Sequence, residues 1–313
     1  MILVTGGAGF IGSHLVDRLV EQGASVRVLD DLSTGKSGNL SAVAQEIELV
    51  KGSITDADAV ERAMQGVSTV FHLAACASVA RSVEEPLQVH GINATGTLQV
   101  LDAARRNGVR KLVFASSSAL YGANGEKPGQ EDDIPTPLSH YGAQKLIGEN
   151  YARIYAALHA LPTVCLRFFN VFGPRQDPSS PYSGVISLFS QKLVAGQVPE
   201  IHGDGGQERD FVFIDNVVDA LMLASQAQVE PGSIFNVATG KTVTILGLFQ
   251  QLQQALKRTE PARFSPARSG DVRISRADVS RAQSILGFEA RVEFADGIKR
   301  TLEWVQQDHG EPR

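Results

Sequence analysis

The sequence predicts an α/β protein: a doubly wound parallel sheet joined to a second, smaller and discontinuous α/β domain. Two observations carry this. Short apolar runs at residues 2–4, 26–29, 47–50, 70–73, 112–115 and 164–169 read as buried parallel strands. Between several of them lie helical patterns such as Ile11/Leu15/Leu19 and Leu98/Leu101/Ala104. Parallel strands need such crossovers, and the crossovers are expected to be right-handed.

The rhythm breaks after Gly173-Pro174. Residues 177–181 are rich in turn formers, and an amphipathic helix is expected around 185–194. Residues 210–224 and 234–237 look like pieces returning to the sheet, and 242–313 carries further helices and loops. The expected division is 1–169 plus roughly 210–239 for a nucleotide-binding domain, and 170–209 plus 240–313 for a substrate domain. No repeats, low-complexity segments or long charge runs interrupt this plan.

Composition narrows the function. The 313 residues are 43% hydrophobic and 20% charged, which suits a globular protein with one large core or two smaller ones. A net charge of −5 lacks the basic footprint of generic nucleic-acid binding. No run approaches the roughly 20 apolar residues of a membrane span, and the start reaches glycine too early for a signal peptide. A cytoplasmic protein is expected. The two cysteines, Cys76 and Cys165, read as buried free thiols. The seven histidines show no metal-ligand spacing, so no metal is expected, and His72 reads as a satisfied core residue.

Thr5-Gly6-Gly7-Ala8-Gly9-Phe10-Ile11-Gly12 follows a strand and opens a helix. Gly6 permits a tight turn, Gly9 lets backbone approach a pyrophosphate at the helix N-terminus, and Gly12 lets helix and strand pack closely. A glycine string alone is weak evidence. Asp30, at the end of the second strand, strengthens it, because its carboxylate can accept both ribose hydroxyls of an adenosine. That carboxylate repels a 2′-phosphate, and Asp31 rather than an arginine follows. NAD is therefore favoured over NADP.

Tyr141 and Lys145 stand at i and i+4, neighbours on one helical face. Elsewhere the pair would be surface noise. Here it follows a dinucleotide cradle and a strand ending in Ser116-Ser117-Ser118, which together make a plausible proton-transfer set. A phenol titrates near 10, so a tyrosine base at neutral pH needs its pKa lowered by about three units, ~4 kcal/mol. Lys145 and an oxidised nicotinamide ring are the two expected sources of positive charge.

TGGAGFIGSH, Asp30-Asp31, HLAA (72–75), Asn93, SSSALYG (116–122), YGAQK (141–145) and LRFFNVFGPR (166–175) resemble the extended short-chain dehydrogenase/reductases over nearly the whole chain. Within them the chain is most similar to UDP-hexose 4-epimerases, in particular the N-acetylhexosamine branch. Arg175-Gln176-Asp177-Pro178 with Tyr182, GDG (203–205), RDF (209–211) and the run 270–278 carry that likeness. The resemblance implies a Rossmann-type sheet and a catalytic set of Ser117, Tyr141 and Lys145. It implies tightly held NAD regenerated in each turnover. Gly6, Gly9, Phe10, Ile11, Gly12, Asp30, Asp31, Ser53, Ile54, Leu73, Ala74, Ala75, Asn93, Tyr141, Lys145 and Phe168 would hold the cofactor. Ser117, Ser118, Asn170, Arg209, Arg268, Asp271 and Ser275 would meet the UDP-sugar. Three consecutive serines leave the register open: Ser117 is preferred, and Ser118 is a second hydroxyl to the sugar.

The implied reaction interconverts UDP-N-acetylglucosamine and UDP-N-acetylgalactosamine through a 4-keto sugar, with UDP-glucose and UDP-galactose as further candidates. This would serve polysaccharide biosynthesis. Dehydratases and decarboxylases of this fold resemble one another in carrying acidic groups after the catalytic hydroxyl. Ser118-Ala119 offers none. A UDP-glucuronate 4-epimerase or another NAD-dependent sugar-nucleotide enzyme is the alternative, and a non-catalytic NAD-binding module is weighed against by the intact Ser/Tyr/Lys set. A homodimer through helices matching 87–106 and 141–158 is implied by the same likeness.

Overall fold

The computed structural model describes residues 1–123, 127–177, 184–267 and 272–310, with residues 308–310 as backbone alone. The first six strands are β1 (Ile2–Thr5), β2 (Val26–Asp30), β3 (Ile47–Lys51), β4 (Thr69–His72), β5 (Lys111–Ser117) and β6 (Thr163–Phe168). Helices α1 (Phe10–Glu21), α2 (Ala57–Met64), α3 (Val79–Glu84), α4 (Pro86–His90), α5 (Thr97–Arg106) and α6 (His140–His159) lie among them. Beyond β6 come β7 (Asn170–Phe172), α7 (Val185–Val194), β8 (Glu200–His202), β9 (Glu208–Arg209), β10 (Phe211–Phe213), α8 (Ile214–Gln226) and β11 (Ser233–Val237). The chain closes with β12 (Val243–Thr244), α9 (Ile245–Ala255), β13 (Arg263–Ser265), β14 (Ile274–Ser275) and α10 (Phe294–Gly310).

Seven strands form one sheet in the order β11-β6-β5-β4-β1-β2-β3, every pair of them parallel. Successive side chains of a strand face opposite ways, and both faces here are apolar. Val4, Val28, Phe71, Val113 and Leu166 belong to one core with Leu15, Leu19 and Val217 of α1 and α8. Leu3, Leu29, Val70, Leu112, Phe114 and Cys165 belong to another with Val60, Val100 and Tyr155 of α2, α5 and α6. Each buried Leu, Val or Phe is stabilising by about 1.5–3 kcal/mol. That two-sided burial is why the strands read as apolar runs.

The sheet order reverses between β1 and β4, the place where doubly wound folds bind ligands at their strand C-termini. The remaining strands form small separate sheets, β10-β7, β12-β9-β14 and β13-β8. Here the structure departs from expectation. β11 and α8 do return to the large sheet, but β10 pairs only with β7. The reason is Asp210, whose buried carboxylate accepts from Thr239 N, Thr239 Oγ1 and Gly240 N at 2.7–2.8 Å. This fixes the segment just beyond the end of β11. Phe172 then packs against Phe213 and Phe294, each with ring centroids 5.4 Å away.

Candidate active site

A cavity of about 650 Å³ opens along the C-terminal ends of β1, β2, β4, β5 and β6. Its floor is the glycine turn. Gly6 has φ +72°, and a Cβ there would sit 2.7 Å from Ala74 N. At Gly12 a Cβ would lie 2.1 Å from the Gly6 carbonyl oxygen. No side chain can replace hydrogen at either position without moving backbone. Gly9 precedes α1 with no side-chain cap, so the first amides of a three-turn helix face the cavity beside Phe10 and Ile11.

At one end Asp30 is 7% exposed and accepts from Ala8 N at 2.9 Å and Leu32 N at 2.8 Å. Burial pushes its carboxyl up, and these two bonds oppose the rise. Asp31 is exposed and accepts from Ser33 N. Ser53, Ile54, Leu73, Ala74, Ala75 and Phe168 complete the lining, together with Gly35, whose Cβ would meet the Asp30 carboxylate at 2.9 Å. A glycine cradle at a helix N-terminus, with a carboxylate at the far end of an elongated cavity, fits the diphosphate and adenosine ribose of a dinucleotide.

At the other end the catalytic candidates meet. Ser139 caps α6 by accepting from Gly142 N, and Gly142 approaches so closely that a Cβ would lie 2.6 Å from the Ala119 carbonyl oxygen. That approach brings Tyr141 beside the end of β5, where its hydroxyl shares a hydrogen bond with Ser117. Ser116 points elsewhere, donating to Glu149 Oε1 at 2.6 Å. Ser118 opens a short 3-10 turn and stands outside the lining. Lys145 is buried, and its Nζ donates to the Ala115 carbonyl at 2.8 Å. Burial pulls Lys145 down to about 8, while Glu149 acts to raise it. Burial pushes the Tyr141 phenol up, against the expected lowering, because the Ser117 bond only partly offsets desolvation. Lys145 lies 5.9 Å from the Tyr141 ring centroid and spends a proton on backbone. A second cation beside the phenol is what the arrangement still requires.

His72 bridges Thr5 Oγ1 at 2.7 Å and Thr97 Oγ1 at 3.0 Å, and burial drives it down to about 3. It is a neutral core histidine. Asn93 stands behind the lining: it accepts from Cys76 N at 2.8 Å and donates to Cys76 O and Gln144 Oε1, each at 3.0 Å. Cys165 is buried, but Cys76 is half-buried and lines the cavity, correcting the expectation for that thiol. The first residue after HLAA, Cys76, is thus held by both its backbone N–H and its carbonyl.

The substrate-side candidates form a separate group. Ser275 and Arg209 are register partners in β14 and β9, and Asn170 donates to the Asp210 carbonyl at 2.9 Å. None of the three lines the cavity. Arg268, Asp271 and Tyr182 lie outside the described residues. Sequence reasoning missed Arg81 and Arg175 in the lining, as well as the 33–39 loop. The Ser-Thr-Gly-Lys run after Asp31 was the available signal for that loop. Arg175, at φ +65°, pairs with Asp17 of α1 at 2.7 Å.

The family model described as "NAD dependent epimerase/dehydratase family" matches residues 2–238. The UDP-glucose 4-epimerase of Mycolicibacterium smegmatis is 42% identical over 97% of this chain and 98% of its own length. The crystal structure of the Thermotoga maritima UDP-glucose 4-epimerase with UDP-glucose superposes with a TM-score of 0.94 at 39% identity, covering 98% of this chain and 99% of that one. The Methanobrevibacter ruminantium UDP-N-acetylglucosamine 4-epimerase, in complex with UDP-N-acetylmuramic acid, gives 0.94 at 37% identity, covering 98% of each. The chain thus belongs to the NAD dependent epimerase/dehydratase family and is an NAD-dependent UDP-sugar 4-epimerase.

Proposed function

We propose that this enzyme interconverts UDP-N-acetylglucosamine and UDP-N-acetylgalactosamine, accepting UDP-glucose and UDP-galactose as well. What supports this reading is likeness: Ser275, paired with Arg209 in β14–β9, falls at the position that resembles a gate beside the sugar 2-substituent in the UDP-hexose 4-epimerases. An acetamido group is several atoms larger than a hydroxyl and has to stay clear of protein while the sugar turns. A serine leaves that space, whereas a tyrosine would fill it and act against one substrate class only. The likeness to the M. ruminantium enzyme supports the same reading. A second reading, restriction to UDP-glucose and UDP-galactose, is supported by the M. smegmatis and T. maritima relatives.

A hexuronate substrate is disfavoured on charge. Among the described lining residues, Lys36 pairs with Asp177, Arg81 with Glu85 and Arg175 with Asp17. Lys145 is committed to Ala115. Three of the four described lining cations are thus already paired with carboxylates, which weighs against a sugar carboxylate.

In the proposed mechanism Tyr141, as phenolate, accepts the proton of the sugar 4-hydroxyl, and Ser117 hydrogen-bonds the same oxygen and helps relay the proton. Lys145 supplies one positive charge near the phenol. NAD, held by the Gly6–Gly12 cradle and Asp30, would take the C4 hydride, give it back to the opposite face of C4 once the sugar has turned, and supply the second positive charge. Arg209, Arg268 and Asp271 anchor UDP, the arginines through forked donors to phosphate. The 4-keto sugar turns about this anchor and presents its opposite face, and Tyr141 returns the proton. The division of labour follows the two-part chain, 1–169 plus about 210–239 for cofactor and 170–209 plus 240–313 for UDP-sugar. A homodimer through α5 and α6 completes the reading.

Ser275→Tyr tests the substrate assignment. Turnover of both N-acetylated sugars should fall sharply while UDP-galactose turnover is kept or improved. Equal losses on both classes, or no change, would remove Ser275 from the specificity account.

A further inference from the structure

Tyr141, Lys145 and Glu149 follow one another at i+4 steps along α6 and so form one stripe on the face packed against β5. Glu149 is 1% exposed and Arg167, on β6, 2%. The guanidinium binds the carboxylate in bidentate fashion, Nε to Oε1 at 2.9 Å and Nη2 to Oε2 at 2.8 Å. Its remaining donor, Nη1, reaches the Tyr121 hydroxyl at 2.8 Å and the Glu131 carbonyl at 3.1 Å.

A buried ion pair is weak evidence even for stability, since desolvation offsets much of its attraction. Two contacts give this one a further role. Lys145 holds the carbonyl of Ala115, and Glu149 holds the hydroxyl of Ser116. Two consecutive residues of β5 are thereby tied to the same helix that carries Tyr141, and the next residue is Ser117. The carboxylate is also the compensating anion for Lys145. We propose that Glu149, held by Arg167, is a positioning residue for proton transfer: it sets Ser117 against Tyr141 through Ser116 and stands one helical turn from Lys145 as its counter-charge. The proposal rests on the reading of Ser117, Tyr141 and Lys145 as the proton-transfer set.

The groups facing this unit are few. Lys145 meets Tyr141 and Glu149 on its own helix, neutral His72 from β4, and the Phe114 ring from β5 at 5.1 Å. Glu149 meets Arg167 and Cys165 from β6, and burial keeps that thiol protonated. Removing the carboxylate therefore takes away the anion that raises the Lys145 pKa, and leaves Arg167 facing Tyr121 and Glu131.

The test is the pH profile of kcat on the NAD-loaded enzyme for wild type, Glu149→Gln, Ser116→Ala and Tyr141→Phe. Glu149→Gln should move the alkaline limb to lower pH by about one unit with KM changed less than about threefold. Ser116→Ala should lower kcat about several-fold and leave the limb in place. If Glu149→Gln does not fold, Glu149→Gln combined with Arg167→Met removes both buried charges and should shift the limb in the same direction. An unmoved limb in the folded Glu149 variant, or an unchanged kcat in Ser116→Ala, with Tyr141→Phe inactive, overturns the proposal alone. Near-normal turnover in Tyr141→Phe overturns the reading beneath it.

Discussion

At the scale of single residues, what decides the chemistry is where hydroxyls and charges are left unspent. Ser116 donates its hydrogen bond to Glu149, so the serine run resolves into one structural hydroxyl and one, Ser117, beside the Tyr141 phenol. The three-serine run could not reveal that, because neighbours in a strand differ only in facing. Tyr141→Phe should keep folding and UDP-sugar binding while kcat drops by about a hundredfold or more, the usual scale for lost acid–base catalysis. Circular dichroism and steady-state kinetics check this; near-normal turnover would end the proposed proton path. The cradle residues were legible in advance because backbone geometry leaves only glycine at Gly6 and Gly12. The placement of Cys76 was not, since its backbone is held by Asn93 from further along the chain.

Among the elements, α6 is the one on which the site depends. It meets β5 through Gly148, where a Cβ would lie 2.5 Å from Phe114 Cζ, and Phe114 in turn backs Lys145. Alanine in a helix interior normally gains about 1 kcal/mol over glycine. Overpacking a filled core typically costs about 1–3 kcal/mol. The second effect wins here, because an aromatic ring has no slack on a strand. Gly148→Ala should lower the unfolding free energy, read from urea titration, by a net ~1 kcal/mol or more and reduce turnover as Lys145 shifts. A stabilised variant would show that the α6–β5 packing is looser than described. The strands themselves were readable as two-sided apolar runs, but β10 was misplaced. Its apolar Phe-Val-Phe looks like a sheet strand, and only the buried Asp210 before it, bonded to Thr239 and Gly240, takes it elsewhere.

For the whole molecule, the seven-stranded sheet and its ligand-binding edge follow from the order of the apolar runs, while the small sheets β12-β9-β14 and β13-β8 were invisible at two or three residues per strand. Among the described residues, no helix is long and apolar enough to cross a membrane. The outer side of the α4–α6 region carries Leu87, Ile154 and Leu158, respectively 88%, 45% and 74% exposed. Apolar side chains so exposed on α4 and α6 are what the proposed homodimer would cover. Light scattering should give twice the chain mass, and Ile154→Glu with Leu158→Glu should give the monomer. A monomeric wild type would leave that face without its proposed role.

The central claim concerns net chemistry: inversion at C4 with the cofactor returned to its starting state. It is tested most directly by incubating the purified enzyme with UDP-N-acetylglucosamine, without added reductant, and following the sugar by NMR and the cofactor by absorbance. UDP-N-acetylgalactosamine should appear and approach equilibrium while no NADH accumulates. Stoichiometric NADH with no 4-epimer would contradict the account.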